Sequence, residues 1–207
     1  MNGPEDGIGQ ERGRATKREI VDVARRLFSE HGFSSTGITD IQSATGLTKG
    51  AFYHHFRSKE DVALAVVEAA RADYAAFWAD LASLGGRPVD RLEACLERVV
   101  ELNERPEWRN CRMLVMLSAE AAGADERLRK AVGGLRGEAV QVWEKLIADA
   151  QQTGHVTKAI HAGVAAEWIM STLMGSLLAQ KLGVAESETR KVMNALKRAL
   201  IKARKRR

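Results

Sequence analysis

The chain reads as an all-α protein of about nine helices, on three observations. Apolar residues recur at steps of three and four from Ile20 to Ala203, the spacing of a helical face. Only three prolines occur, and no run alternates in the manner of a convincing strand. Glycines and capping hydroxyls punctuate the apolar repeats.

Residues 1–13 are Gly-rich and polar and are expected to form a mobile arm. Thr16 and Glu19 have the spacing of a capping box, and Ile20, Ala24, Leu27 and Phe28 follow on one face until His31-Gly32. A short unit then buries Ile38, Ile41 and Ala44 and breaks at Gly46. Thr48 can cap a second, which buries Phe52 and Phe56. Ser58 and Asp61 open a long Ala-rich helix to about Leu84, stopped by Gly85-Gly86, and Pro88 suits the first turn of the next. Leu92, Leu96, Val99 and Leu102 mark one helix, and Cys111, Leu114, Val115 and Leu117 another. Asp125 caps the stripe Leu128, Val132, Leu135, Ala139, Val142, Leu146. The segment 158–181 is apolar over much of its circumference, Gly183 ends it, and Ser187 starts the last helix.

Composition removes several classes of function. At 45% hydrophobic and 29% charged, 207 residues can bury a core, so a wholly disordered chain is excluded. No apolar run approaches the roughly 20 residues of a membrane span, and residues 1–13 do not resemble a secretory signal. Two cysteines, Cys95 and Cys111, fit a reducing cytoplasm better than a disulfide framework. The net charge of +5 is uneven: Arg190 to Arg207 holds nine Lys or Arg and no acid, leaving the rest of the chain at −4. The global charge thus describes a C-terminal tail, not a DNA-binding face. A tail whose apolar stripe is mostly Ala is too weak for membrane anchoring.

The informative stretch lies elsewhere. Two short helices joined by Thr45-Gly46-Leu47 have the form of a helix-turn-helix, at about 37–56. From Ile41 to Lys59 there are three basic residues and no acid, so this segment can approach phosphates without repulsion. With Phe52 and Phe56 on the buried stripe, Lys49, Gly50 and Tyr53 are left for the opposite side.

Gly32-Phe33, Thr36-Gly37-Ile38-Thr39-Asp40-Ile41 and the run Ala44 to Glu60 closely resemble the TetR family of transcriptional repressors. The Lys49-Gly50-x-x-Tyr53-x-x-Phe56-x-x-Lys59 spacing is its most specific part, and the likeness covers roughly Arg14 to Tyr74. The resemblance implies a DNA-binding domain at 14–74 and a ligand-binding and dimerisation domain at 75–207. It implies that Lys49, Gly50, Ala51, Tyr53 and His54 face double-stranded operator DNA, and that Thr36, Thr39, Thr48 and Lys59 hold phosphates. By side-chain type, Lys49 and Lys59 neutralise phosphates, while small Gly50 and Ala51 bring the backbone near the bases. For Tyr53 the alternative is packing alone, and for His54 simple solvent exposure. Two departures bear on operator sequence: position 39, often Arg in relatives, is Thr, and position 37, often Ser or Thr, is Gly.

The same resemblance implies a cytoplasmic homodimer joined through the last two helices, released from a pseudopalindromic operator by an unknown small-molecule or electrophile inducer. The segment around Cys111 resembles the corresponding helix of a TetR branch that includes the N-ethylmaleimide-responsive repressor, in which a lysine matching Lys181 stands late in the penultimate helix. Lys181 beside Cys111 would favour a reactive thiolate; the alternative is a core Cys111. Cys95 is expected in the core. Met113, Met116, Met170, Met174, Trp143 and Trp168 could line a ligand pocket, although residues at this helical spacing are more often core or dimer interface. With no dense cluster of buried-looking charges, the sequence favours an apolar or weakly polar ligand; for a cationic one, Glu120 and Glu167 are the first acids to consider. No metal, cofactor or catalytic constellation is expected: the histidines are scattered or adjacent, and Cys111 as an enzyme nucleophile lacks a placed base.

Overall fold

A computed structural model of the chain describes residues 4–103, 110–120 and 125–202. Among these residues there are nine helices and no strand. They are α1 (Pro4–His31), α2 (Ile38–Thr45), α3 (Lys49–His55), α4 (Lys59–Ser83), α5 (Pro88–Asn103), α6 (Asn110–Glu120), α7 (Glu126–Gln152), α8 (Ala162–Lys181) and α9 (Glu186–Leu200). A single antiparallel bridge between Val156 and Ile201 ties the α7–α8 connection to the end of α9.

Side-chain caps set several boundaries where the sequence places them. Thr48 Oγ1 accepts from the Ala51 amide at 3.3 Å, Ser58 Oγ from the Asp61 amide at 3.1 Å, and Asp125 from the Arg127 amide at 2.7 Å. Gly46, at φ +67°, takes the left-handed conformation that ends α2 and turns the chain into α3.

Three boundaries differ from expectation. Residues 4–13, expected as a mobile arm, continue α1, and Thr16 lies inside that helix, its hydroxyl donating to the Arg12 carbonyl at 3.1 Å. Pro4-Glu5-Asp6 is a favourable opening for a first helical turn, which outweighs the glycines that follow. The penultimate helix starts at Ala162, not near Lys158, capped by His161 Nδ1 accepting from the Gly163 amide at 3.2 Å. The last helix starts at Glu186, so Ser187 sits inside its first turn.

Two apolar clusters fill the interior. The first joins Ile20, Ala24 and Phe28 of α1 with Ile41, Phe52, Val62 and Val66, and continues into Met113 and Leu117 of α6 and Leu128 and Val132 of α7. The second joins Leu92 and Leu96 of α5 with Trp143 and Ile147 of α7, Ala165 and Ile169 of α8, and Met193 and Leu196 of α9. Each fully buried Phe, Ile or Leu contributes roughly 1.5–3 kcal/mol. The helix-turn-helix is therefore not a separate bundle, because its core shares side chains with α6 and α7. That sharing gives any displacement of α6 a packed route to α1.

α8 corrects one further expectation. By length and composition it is apolar enough to cross a membrane, with a mean hydropathy of 1.3 in its most apolar window. Within the chain it packs against α7, α9 and α6, which buries 33% of that window. The polar residues spaced along it, Glu167, Ser171, Thr172 and Ser176, hide this apolar character from a search for an uninterrupted run.

Candidate nucleic-acid interface and ligand cavity

α3 is anchored on one side and open on the other. Phe52 is fully buried, Phe56 nearly so, and their rings pack at 6.3 Å between centroids. Lys49, Gly50, Tyr53 and His54 are exposed, within about 140° of arc at 100° per residue. Tyr53 is 43% exposed, and its ring meets Phe52 edge-on at 5.5 Å, so it is braced by the core while its outer edge points to solvent. Ala51 is half-buried on the flank. A Cβ built on Gly50 meets nothing within 4 Å, so the chain's own packing does not require glycine there. His55 sits behind this face, and burial, then the neighbouring His54 and Lys17, lower its pKa from the ordinary histidine value.

The expected phosphate contacts divide. Thr39 is exposed in the first turn of α2, and Thr48 is exposed at the start of α3. Thr36 is a correction: it is 1% exposed and its hydroxyl donates to the Gly32 carbonyl at 2.7 Å, so it shapes the α1–α2 turn. Lys59 is half-buried, its ammonium donating to the Phe33 carbonyl at 2.8 Å and lying 4.3 Å from the centre of the Phe33 ring. Its charge therefore supports that turn from below. With no hydroxyl at Gly37, α2 keeps only half of a capping box: the Gly37 amide donates to Asp40 Oδ2 at 2.7 Å.

The same turn is held from the other side by two residues of the larger domain. Glu120, the last residue of α6, accepts from the Ser34 amide. Gly32, at φ +92°, lies so close that a Cβ there would stand 2.5 Å from Glu120 Oε1. Lys181, the last residue of α8, donates to the Glu30 carbonyl at 2.9 Å, where a cation also complements the C-terminal end of α1. Arg25 to Asp73, at 2.8 Å, links α1 to α4. Lys181 and Glu120 reach the same segment, 30–34, and that end of α6 lies about 13 Å along the helix axis from Cys111, at 1.5 Å per residue. The Cys111 side chain lies outside the described residues. Cys95 is buried, and desolvation, only partly countered by Arg91, pushes its thiol up to about 11.

Between α4, α5, α6, α7 and α8 lies a cavity of about 80 Å³. Phe77, Trp78 and Trp143 form an aromatic wall, with ring centres 4.9 Å apart for Phe77–Trp78 and 5.5 Å for Trp78–Trp143, both pairs edge-on. Val99, Leu114, Leu135, Met170, Met174 and Leu177 are among the remaining lining residues. Ser118 also lines it, but its hydroxyl donates to the Leu114 carbonyl at 2.7 Å. Arg136 supplies the charge in this wall and forms a two-pronged pair with Glu167, one arm at 3.2 Å. Hydrogen bonding from Arg136 in turn holds the Glu167 carboxyl below the usual carboxylate range.

Of the residues expected in a pocket, the structure brings Trp143, Met170 and Met174 together. Met113 is instead fully buried in the first apolar cluster, and Met116 is half-buried away from the cavity lining. Trp168 is 41% exposed and does not line the cavity. Glu120 and Glu167, the acids to consider for a cationic ligand, are engaged with Ser34 and Arg136. Sequence reading missed Phe77 and Trp78. Their signal was available as an aromatic cluster, Tyr74-x-x-Phe77-Trp78, on one long helix.

Trp168 belongs to a different surface. Val164, Trp168 and Leu178 are all exposed and fall within about 80° of arc on α8 at 100° per residue; Leu182, just past the helix, is 81% exposed, and Val192 of α9 is exposed as well. Among the described residues, no group of three His, Cys, Asp or Glu side chains is placed to hold a metal ion.

Comparison with known proteins places this architecture. The family model for bacterial regulatory proteins, tetR family, matches residues 20–66, and that for a tetracyclin repressor-like C-terminal domain matches residues 88–196. The transcriptional regulator AcuR of Cereibacter sphaeroides is 30% identical over 171 residues, 80% of this chain and 76% of that protein. The HTH-type transcriptional repressor AcnR of Corynebacterium glutamicum is 36% identical over 98 residues, 47% of each chain, so this chain spans about half the length of that relative. A transcriptional regulator from Agrobacterium tumefaciens superposes with a TM-score of 0.85 at 18% identity, covering 92% of this chain and 100% of that one. Reduced E. coli NemR superposes at 0.79 and 20%, covering 92% and 99%.

Proposed function

The chain belongs to the tetR family of bacterial regulatory proteins, and on that premise we propose that it is a one-component transcriptional repressor. Regulators of this family bind operator DNA as dimers. The observation that carries the reading is α3: Lys49, Gly50, Tyr53 and His54 stand exposed on the face opposite buried Phe52. Placed in the major groove, this face sets Lys49 and Tyr53 against phosphates and the Gly50–Ala51 backbone near base edges. Thr48 and Thr39 supply hydroxyls to the flanking phosphates. Thr36 and Lys59 act indirectly, by fixing the turn that sets the angle between α1 and α2.

Two copies join through the apolar face of α8 and α9, centred on Trp168, and so place two α3 helices on the halves of a pseudopalindromic operator. The site of action is the cytoplasm, and no catalysis is required of the protein. The inducer occupies the apolar cavity. α6 and α8 both line that cavity and both end on segment 30–34, through Glu120 and Lys181. A ligand that displaces either helix therefore acts on the helix-turn-helix, provided that it binds the DNA-incompetent arrangement more tightly.

An electrophile is the second reading of the inducer. Cys111 lies in the first turn of α6, so adduct formation there would act on the helix that carries Glu120. The test is a gel shift with the DNA flanking the protein's own coding sequence, with and without N-ethylmaleimide. The repressor reading expects a complex that weakens steeply with salt. The electrophile reading expects release by N-ethylmaleimide that is absent in Cys111→Ser, and release persisting in that variant contradicts it.

A further inference from the structure

We propose that the cavity selects an amphipathic anion, with Arg136 as the anchor for its carboxylate or equivalent acidic group and the Trp78–Trp143 wall as the seat for its apolar body. This rests on the reading of the cavity as the inducer site.

The wall is apolar apart from a few groups, and among the described lining residues only Arg136 is charged. Its partner, Glu167, is not part of the wall. The Glu167 side chain keeps half of its surface in solvent, whereas Arg136 keeps about a third, so the positive member of the pair is the less exposed one and the one that lines the cavity. The two guanidinium nitrogens already grip two carboxylate oxygens, which shows the fork in a position to accept a carboxylate. An incoming carboxylate exchanges with Glu167: Arg136 keeps a bidentate partner throughout, and Glu167 turns to water at little desolvation cost. A cationic ligand finds no acid among the described lining residues and faces Arg136 across a medium of low polarity. A neutral ligand gains only the apolar contacts. The exchange also removes a tie between α7 and α8, and α8 is the helix that ends in Lys181 on Glu30.

The test uses three probes with one aromatic body, 1-naphthaleneacetate, 1-naphthaleneacetamide and 2-(1-naphthyl)ethylamine, titrated calorimetrically into the full-length protein at neutral pH. The acetate should bind about tenfold or more tightly than the amide, with the amine weakest. Arg136→Gln should reduce the acetate to the level of the amide and leave the amide unchanged. Glu167→Gln should act in the opposite sense, raising acetate affinity several-fold by removing the internal competitor, a change that a merely structural ion pair would not give. An amide that binds as tightly as the acetate, an amine that binds best, or a Glu167→Gln variant that weakens the acetate overturns the anionic anchor while leaving the cavity as a ligand site. Failure of all three probes to bind contradicts the cavity reading itself.

Discussion

Two exposed aromatic residues of nearly equal accessibility, Tyr53 at 43% and Trp168 at 41%, mark two surfaces of opposite character. Tyr53 stands among Lys49, Gly50 and His54 in a stretch, Ile41 to Lys59, that contains no acid. Trp168 shares one arc of α8 with exposed Val164 and Leu178, on a helix whose composition is apolar enough for a membrane. The first surface suits a polyanion held by charge and hydrogen bonds; the second suits a matching apolar face. Exposure alone therefore says little about what an aromatic side chain is for. Its neighbours decide, and the two faces should fail in different ways when altered.

The largest separation should come from Trp168→Glu. Two-fold pairing places the change twice in one interface, and an ionised carboxylate there lacks a partner. Self-association should weaken by about 100-fold or more, read by sedimentation, with far-ultraviolet circular dichroism unchanged. DNA binding should fall only as a consequence of lost pairing. If the variant remains dimeric, the α8–α9 face is not the interface, and the contrast between the two surfaces collapses.

Next in size is the connection between the larger domain and the turn at 30–34. Replacing Glu120 and Lys181 together with Ala removes one charge-assisted bond from each side of that segment. Overall stability should drop by about 2–3 kcal/mol, and exchange of the Ser34 amide with solvent should speed up by an order of magnitude. A variant that leaves Ser34 exchange unchanged would show that apolar packing alone holds the turn.

Gly50→Ala sharpens the comparison from the DNA side. Because space around Gly50 is open, Ala should raise helix stability by about 0.5–1 kcal/mol. Operator affinity should nevertheless fall several-fold if α3 docks as proposed, because the added methyl then stands between the backbone and the bases. Improved stability together with undiminished affinity would move the DNA contact elsewhere on α3.

The smallest effect concerns His55, which lies behind the exposed face of α3. Its folded-state pKa is depressed, so below the ordinary histidine value the unfolded chain binds the proton more readily than the folded one. Stability is thus unaffected at higher pH, declines as pH falls through about 6.5, and levels off below the folded value. His55→Gln should flatten this part of the stability profile, measured by urea unfolding between pH 7.5 and 5.

The two surfaces were also unequally legible. Around α3, chemistry is written in contiguous residues: Thr48 caps, Phe52 and Phe56 anchor, and the remaining side chains are left outside by the helical repeat. The exceptions, Thr36 and Lys59, depend on a carbonyl in the α1–α2 turn, and such turn geometry is invisible to helical periodicity. The cavity depends on five helices far apart in sequence. Met113 and Trp143 look alike as large apolar residues on helices, yet one fills the first core and the other a cavity wall. The partners that engage Glu120 and Glu167, Ser34 and Arg136, lie 86 and 31 residues away along the chain, beyond the reach of local sequence patterns. The N-terminal segment differs for a local reason: glycines suggested mobility, but a favourable Pro-Glu-Asp opening starts α1 at Pro4, well before the cap expected at Thr16.

Whether the α3 face binds DNA is the central question for this protein. A footprint on the DNA flanking the protein's own coding sequence, run with the wild type and with Lys49→Ala/Tyr53→Ala, addresses this. The expected result is one protected segment with two-fold symmetry for the wild type. Protection should vanish in the double variant, weakened by about 100-fold or more, while sedimentation shows an unchanged dimer. Protection that survives both substitutions in the folded dimer would contradict DNA binding by that face.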